Sequence, residues 1–163
     1  MSEFLKSVGP LLGVVLGVVL GFILGLVAPY LQRKHRLGAH WAALGVEVEI
    51  CERLARTYLS AGVAAPLYRL PTMAFSVSLP SLLADGAVSG QEVNHLESFW
   101  MWVQDINRGL DNANHAMHAA NSTQLNLEVA RLRLKCEELL VESSGGNEAY
   151  AASAHRVIRA HVA

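Results

Sequence analysis

The run EVNH sets Glu92 and His95 three residues apart, the spacing at which one helix offers a carboxylate and an imidazole to the same metal ion. A di-iron helical bundle needs two such units and a further glutamate from each of two other helices. This chain holds one unit. Glu92 also follows Ser89 by three residues, and S-x-x-E is a capping box that satisfies the first amides of a helix. His115 and His118 share a helix face, yet no third ligand stands at a spacing that would define a zinc site. The seven histidines read as surface and helix-end residues, and neither metal nor cofactor is expected.

Nucleophilic chemistry finds no better footing. There is no G-x-S-x-G elbow and no glycine-rich phosphate loop. The run SSGG, Ser143 to Gly146, follows a helical pattern instead of leading into one, and reads as a linker. On a helix, the four residues of FWMW (Phe99 to Trp102) point in directions about 100° apart, so they serve packing and not an aromatic cage. No catalytic residue is assigned, and no small-molecule substrate is identified. Glu47 sits at the edge of one apolar helix face and Asn107 at the edge of another. A buried carboxylate must find hydrogen bonds. The two are expected to form a buried polar pair, with Glu47 meeting Asn107 or Arg108 across the bundle and setting its register.

Helices are the only elements that position these side chains. Trp41, Leu44, Val48, Cys51, Ala55 and Tyr58 recur every three or four residues, which predicts an amphipathic helix ending at Gly62. Pro66, Pro71, Pro80 and Gly86 then punctuate the chain and exclude one long helix. Thr72 is expected to cap a short turn, MAFSV, and Ser78 a second, LPSLLAD, closed by Gly86. Phe75, Leu79, Leu82 and Leu83 are too apolar for a free loop, so this stretch should pack back onto the bundle.

After Ser89 a stripe of Leu96, Phe99, Val103, Ile106, Leu110, Ala113 and Met117 predicts a long helix, with Trp100, Asn107 and Asn114 on its flank. Asn121 or Ser122 opens the next, with Gln124 in the cap. Leu125, Val129, Leu132, Cys136 and Leu139 form its core stripe. Leu127, Leu134 and Val141 add a second row, which predicts a wide buried face, while Glu128, Arg131 and Glu138 mark the wet side. Asn147 caps a terminal helix with Tyr150, Ala154, Val157 and His161 on one side. No β pattern occurs.

The rest of the chain is an anchor. At 163 residues, 52% hydrophobic and a mean hydropathy of +0.30, the composition is too apolar for an ordinary soluble domain. The excess lies between Ser7 and Gln32, where no side chain is charged. About 20 helical residues cross a hydrocarbon core. The run is longer than a signal-peptide core and lacks an A-x-A site, so it reads as retained. Arg33, Lys34 and Arg36 follow it, and the side richer in Lys and Arg is cytoplasmic. These three serve as topology signal and lipid anchor.

The resulting fold class is all-α: one N-terminal transmembrane helix, then a cytosolic helical bundle of three long or medium helices, short Pro-punctuated helices and a short C-terminal helix. Residues 1–7 form a short extracytoplasmic tail, 8–32 the transmembrane helix and 33–37 a basic juxtamembrane segment. The bundle takes 38–143, and 144–163 is a flexible break with the C-terminal helix. Beyond Leu37 acidic residues outnumber basic ones, which argues against nucleic acid as a partner. Cys51 and Cys136 have no framework spacing and read as buried reduced thiols.

Within the span, Gly9, Gly13, Gly17, Gly21 and Gly25 recur every fourth residue. Small residues at this spacing let helix backbones approach closely in lipid, where no hydrophobic force drives helices together. The row is the expected transmembrane interface, for a homo-oligomer or for a partner protein's helix.

The runs EVEICERL, LPTMAF, SLPSLLADG and LESFWMWVQDINRGLD together resemble a loosely defined group of uncharacterised bacterial single-pass membrane proteins with a cytosolic helical bundle. The resemblance implies an inner-membrane location and a fold, and carries no activity. The sequence points first to a non-enzymatic interaction or scaffolding module at the inner membrane face. Two other classes stay open: a membrane-active or pore-forming oligomer of toxin-like or defence-related type, and an enzyme whose site carries no motif. The span has no polar residue to line a conduit.

Overall fold

The computed structural model describes residues 2–61, 67–141 and 148–162, and within 2–13 it describes the helix alone. Gly9, Gly13, Gly62, Pro66, Asn147 and the SSGG run have side chains or surroundings outside the described residues. Five helices and no strand occur among those described: α1 (Ser2–Ser60), α2 (Met73–Ala84), α3 (Gly90–His118), α4 (Ser122–Leu140) and α5 (Tyr150–Val162). The protein is all-α, and α1 is long and apolar enough in its first half to cross a membrane.

The chain divides into two compact units, Met1–Leu37 and Gly38–Ala163. In the first, α1 carries no buried side chain from Val14 to Arg36. The basic residues Arg33, Lys34 and Arg36 are helical. Arg and Lys are good helix formers, so nothing in that cluster interrupts the ladder.

The second unit is a helical bundle with α3 at its centre, packed on α4 and α5. Trp41, Leu44, Val48, Cys51, Ala55 and Tyr58 of α1 are all buried, as their spacing predicts. So are Leu96, Phe99, Val103, Ile106, Leu110 and Ala113 of α3. Ser89 and Glu92 close the start of α3 in a capping box. Asn121 Oδ1 accepts the Gln124 amide at 3.0 Å and opens α4. At Gly109 the helices come so close that a Cβ there would stand 2.7 Å from Cδ2 of Leu132 on α4.

Two local expectations change. The Pro-punctuated stretch forms one helix, α2, and not two short turns. Pro80 lies inside it, on the exposed side. The carbonyl it leaves unpaired, that of Ser76, belongs to another exposed residue, so the break costs less than it would in a core. Gly86 ends α2 with φ +63°, Ala87 N–H bonding the Leu82 carbonyl and Gly86 N–H that of Leu83, which is a Schellman motif.

The second change concerns α4. Its buried face is narrow, and Leu127, Leu134 and Val141 stand 51, 60 and 59% exposed. Glu128, expected on the wet side, is buried. It occupies the stripe that continues through Leu132, Cys136 and Leu139 at helical spacing, and Val129 is displaced to its edge. Gln124 Nε2 and an Arg131 guanidinium nitrogen donate to its Oε1 at 2.8 and 3.0 Å, which meets the charge locally.

Candidate functional site

Glu47, Cys51 and Tyr58 of α1 and Asn107 of α3 converge on one piece of backbone, residues 68–75. Glu47, on the core edge of α1, accepts from the amides of Ala74 and Phe75 at 2.6 and 3.0 Å. Asn107 of α3 holds Leu70 at both ends: its Oδ1 accepts the Leu70 amide at 2.8 Å and its Nδ2 donates to the Leu70 carbonyl at 2.9 Å. Cys51 Sγ donates to the Pro71 carbonyl at 3.5 Å, and the Tyr58 hydroxyl donates to the Tyr68 carbonyl. A strand partner would satisfy such groups in a sheet. Residues 68–72 belong to no helix and turn to side chains, while the Ala74 and Phe75 amides are the open N-terminal donors of α2.

Glu47 and Asn107 are thus buried polar residues, as their positions predict, but they do not bond to one another. Nor does Arg108 reach Glu47: it pairs with Asp105 at 2.9 Å. The physical reason is the intervening segment. Its unpaired amides are stronger claims on a buried acceptor than a second side chain is. Glu47 acts as the N-terminal cap of α2, whose own cap residue, Thr72, makes no side-chain cap bond. Ser78, expected to cap a second turn, is buried mid-helix with its hydroxyl 3.1 Å from His40 Nδ1.

A second set of contacts holds α5. His155 Nε2 lies 3.2 Å from Glu52 on α1. His161 stacks on Trp41 with ring centroids 4.2 Å apart, and its Nε2 is 2.8 Å from Glu92. Ser153 Oγ is 2.8 Å from His95 Nδ1. The two members of the E-x-x-H pair, both on α3, therefore take separate partners: Glu92 the Ser89 cap and His161, and His95 the Ser153 hydroxyl. His115 and His118 end α3 on its exposed side. Among the described residues no three of His, Cys, Asp and Glu gather in a group that could hold a metal ion.

The thiols and carboxylates add no nucleophile. Burial, and then the charge of Glu47, pushes the Cys51 thiol up to about 12, so it stays protonated and serves as a donor. Burial and then Glu137 raise Cys136 to about 11. Hydrogen bonds from the Ser89 hydroxyl and amide, with a smaller part from His161, hold Glu92 down to about 2. Trp100 packs against Phe75 and Phe99, and its indole N–H has no partner among the described residues. Trp102 meets Tyr150 of α5 at 5.3 Å.

The helix outside the bundle is bare. From Val14 to Leu31 the large apolar side chains are exposed, and a Cβ built at Gly17, Gly21 or Gly25 would meet nothing within 4 Å. Sequence reasoning located these glycines and the two buried polar residues. It missed the α5 contacts, which join residues 58 to 120 positions apart and leave no periodic signal.

No family model, curated protein sequence or solved structure matches this chain.

Proposed function

We propose that the protein is a membrane-anchored, non-enzymatic helical module for protein–protein interaction or scaffolding. Its Gly-xxx-Gly anchor oligomerises or docks a partner's transmembrane helix, through Gly9, Gly13, Gly17, Gly21 and Gly25. The setting is the bacterial inner membrane, with the N-terminus outside and the main domain in the cytoplasm, by the basic flank Arg33, Lys34 and Arg36. One observation carries the reading: a single helix, α1, has exposed apolar side chains from Val14 to Leu31 and supplies a buried stripe, Trp41 to Tyr58, to a compact bundle. Water is a poor solvent for the first half, and a bilayer is a good one.

The test replaces Gly17 and Gly21 with leucine and measures self-association of the anchor in a membrane two-hybrid assay. A loss of at least about tenfold in signal, roughly 1.4 kcal/mol, supports helix pairing through the row. Unchanged association removes self-pairing and leaves a partner's helix, to be sought by crosslinked pull-down from native membranes. Dye leakage from vesicles carrying the protein would favour the membrane-active reading instead.

A further inference from the structure

Arg69 and Arg108 open onto one pocket of about 340 Å³, formed by the segment before α2 and the middle of α3. Thr72, Gln104 and Asn107 complete the lining, so every side chain in it can donate a hydrogen bond and none is acidic. Asn107 is the buried part of that lining, 6% exposed. Its amide nitrogen gives one hydrogen to the Leu70 carbonyl and carries a second. Thr72 makes no side-chain cap bond, because Glu47 takes the α2 amides, so its hydroxyl is not committed to the helix it precedes.

The two guanidinium groups are engaged on one side only. Arg69 meets Asp111 at 3.2 Å and Arg108 meets Asp105 at 2.9 Å, each through a single terminal nitrogen. A guanidinium has five N–H donors, and exposed ion pairs of this kind are weak enough to rearrange. Asp105 also pairs with Lys135, so it keeps a cation if Arg108 turns away.

Arg108 borders a second pocket as well, of about 320 Å³, where α3 meets the start of α5. Met101, Trp102 and Tyr150 line this one. Trp102 and Tyr150 pack with ring centroids 5.3 Å apart, and Met101 is 69% exposed. Met101, Gln104 and Arg108 follow one another at three and four residues, which sets them on one face of α3, and the two pockets meet at Arg108. A cluster of donors thus adjoins an aromatic and apolar shelf, the combination that small-molecule sites use.

The number of donors selects the anion. Two guanidinium forks and three neutral side chains exceed what the two oxygens of a carboxylate accept. A phosphate monoester offers three terminal oxygens and carries nearly two charges at neutral pH. We infer that this surface of α3 binds a small aromatic phosphate monoester, its phosphate between Arg69 and Arg108 and its ring against Met101 and Trp102. The site does not depend on how the anchor associates.

The test titrates full-length protein in phosphatidylcholine nanodiscs with phenyl phosphate, inorganic phosphate or phenol, read by isothermal titration calorimetry. Phenyl phosphate should bind about fivefold or more tighter than inorganic phosphate, and phenol no better than to empty nanodiscs. Arg69→Met and Arg108→Met should each weaken phenyl phosphate about tenfold. Arg133→Met, which removes the same charge from an exposed position on α4, should leave it unchanged. Trp102→Ala should bring phenyl phosphate down to the affinity of inorganic phosphate. Met101→Ala, at a more exposed position, should lower it severalfold and spare the inorganic ion. Circular dichroism establishes that each variant is folded. Three results would overturn the inference: no heat from phenyl phosphate, equal affinity for phenyl and inorganic phosphate in the wild type, or a loss in Arg133→Met as large as in the two pocket variants, which would mark a general effect of charge.

Discussion

Glu47 and Ala74 lie on different helices, and the carboxylate of the first closes the N-terminus of the second, with Oε2 2.6 Å from the Ala74 amide nitrogen and Oε1 3.0 Å from that of Phe75. Helix N-termini expose amides that need acceptors, and an anionic one is favoured by the helix dipole. Most helices find that acceptor in their own cap residue. α2 finds it in α1, so the cap is also a tertiary contact. Glu47→Ala should destabilise the bundle by about 1–3 kcal/mol, since two half-buried amides lose a charged acceptor. Glu47→Gln keeps one acceptor oxygen and should cost about half as much. Thermal unfolding followed by circular dichroism ranks the three proteins; equal losses for both variants would contradict the capping role.

Acid should weaken the start of α3. The Glu92 carboxyl has an ordinary value of 4.5 and lies near 2 in the fold, chiefly through the Ser89 hydroxyl and amide. A carboxyl depressed on folding contributes stability that is complete above about 4.5 and lost as pH falls toward 2. Ser89→Ala should cost about 1 kcal/mol at pH 6. The gap in thermal midpoint between wild type and this variant should narrow steadily as the buffer is taken from pH 5 toward pH 2. A gap that stays constant across that range would show that the cap does not act through the Glu92 charge.

At Gly109 two effects of a methyl group oppose each other. Alanine gains about 1 kcal/mol over glycine in helix propensity. Its Cβ, however, would stand 2.7 Å from Cδ2 and 3.2 Å from Cγ of Leu132, which is itself buried. Overpacking of a filled core typically costs about 1–3 kcal/mol, so the net effect of Gly109→Ala should be a loss of about 1 kcal/mol. Leu132→Val in the same chain makes room. A double-mutant cycle by denaturant unfolding should therefore give a favourable coupling between the two substitutions, and zero coupling would refute the contact.

Ala120 offers the reverse case. It ends α3 with φ +51°, the left-handed region that costs an L side chain about 1–2 kcal/mol. Its amide bonds the Met117 carbonyl and the next amide, of Asn121, bonds that of Ala116, so the position is the one that glycine fills in Schellman motifs. Ala120→Gly should raise stability by about 0.5–1 kcal/mol, read as a higher denaturant midpoint at unchanged slope.

How much of this was legible follows from the range of each interaction. The stripes Trp41–Tyr58 and Leu96–Ala113 were legible because a helix repeats every 3.6 residues and burial of one face leaves that period in the chain. The Ser89–Glu92 box and the Asn121 cap were legible because both partners sit within four residues. The second row of α4 failed for the opposite reason. Leu127 and Leu134 have the period of a buried face, but whether a face is covered depends on how many neighbours a helix has, and that is not encoded locally.

The polar residues divide along the same line. That Glu47 and Asn107 need partners could be read from their places beside apolar stripes. Which partners they take could not, because the answer lies in a segment 27 to 37 residues away, where Leu70 belongs to no helix and the Ala74 and Phe75 amides open α2. By itself, the sequence determined the long helices, the caps at Ser89 and Asn121 and the one stretch suited to lipid, since each depends on residues a turn or two apart. Only the tertiary structure decided that Glu47 caps α2, that Glu128 is buried, and that His155 and His161 of α5 meet α1 and α3. Those outcomes depend on which chain segments arrive side by side, and a local pattern holds no record of that.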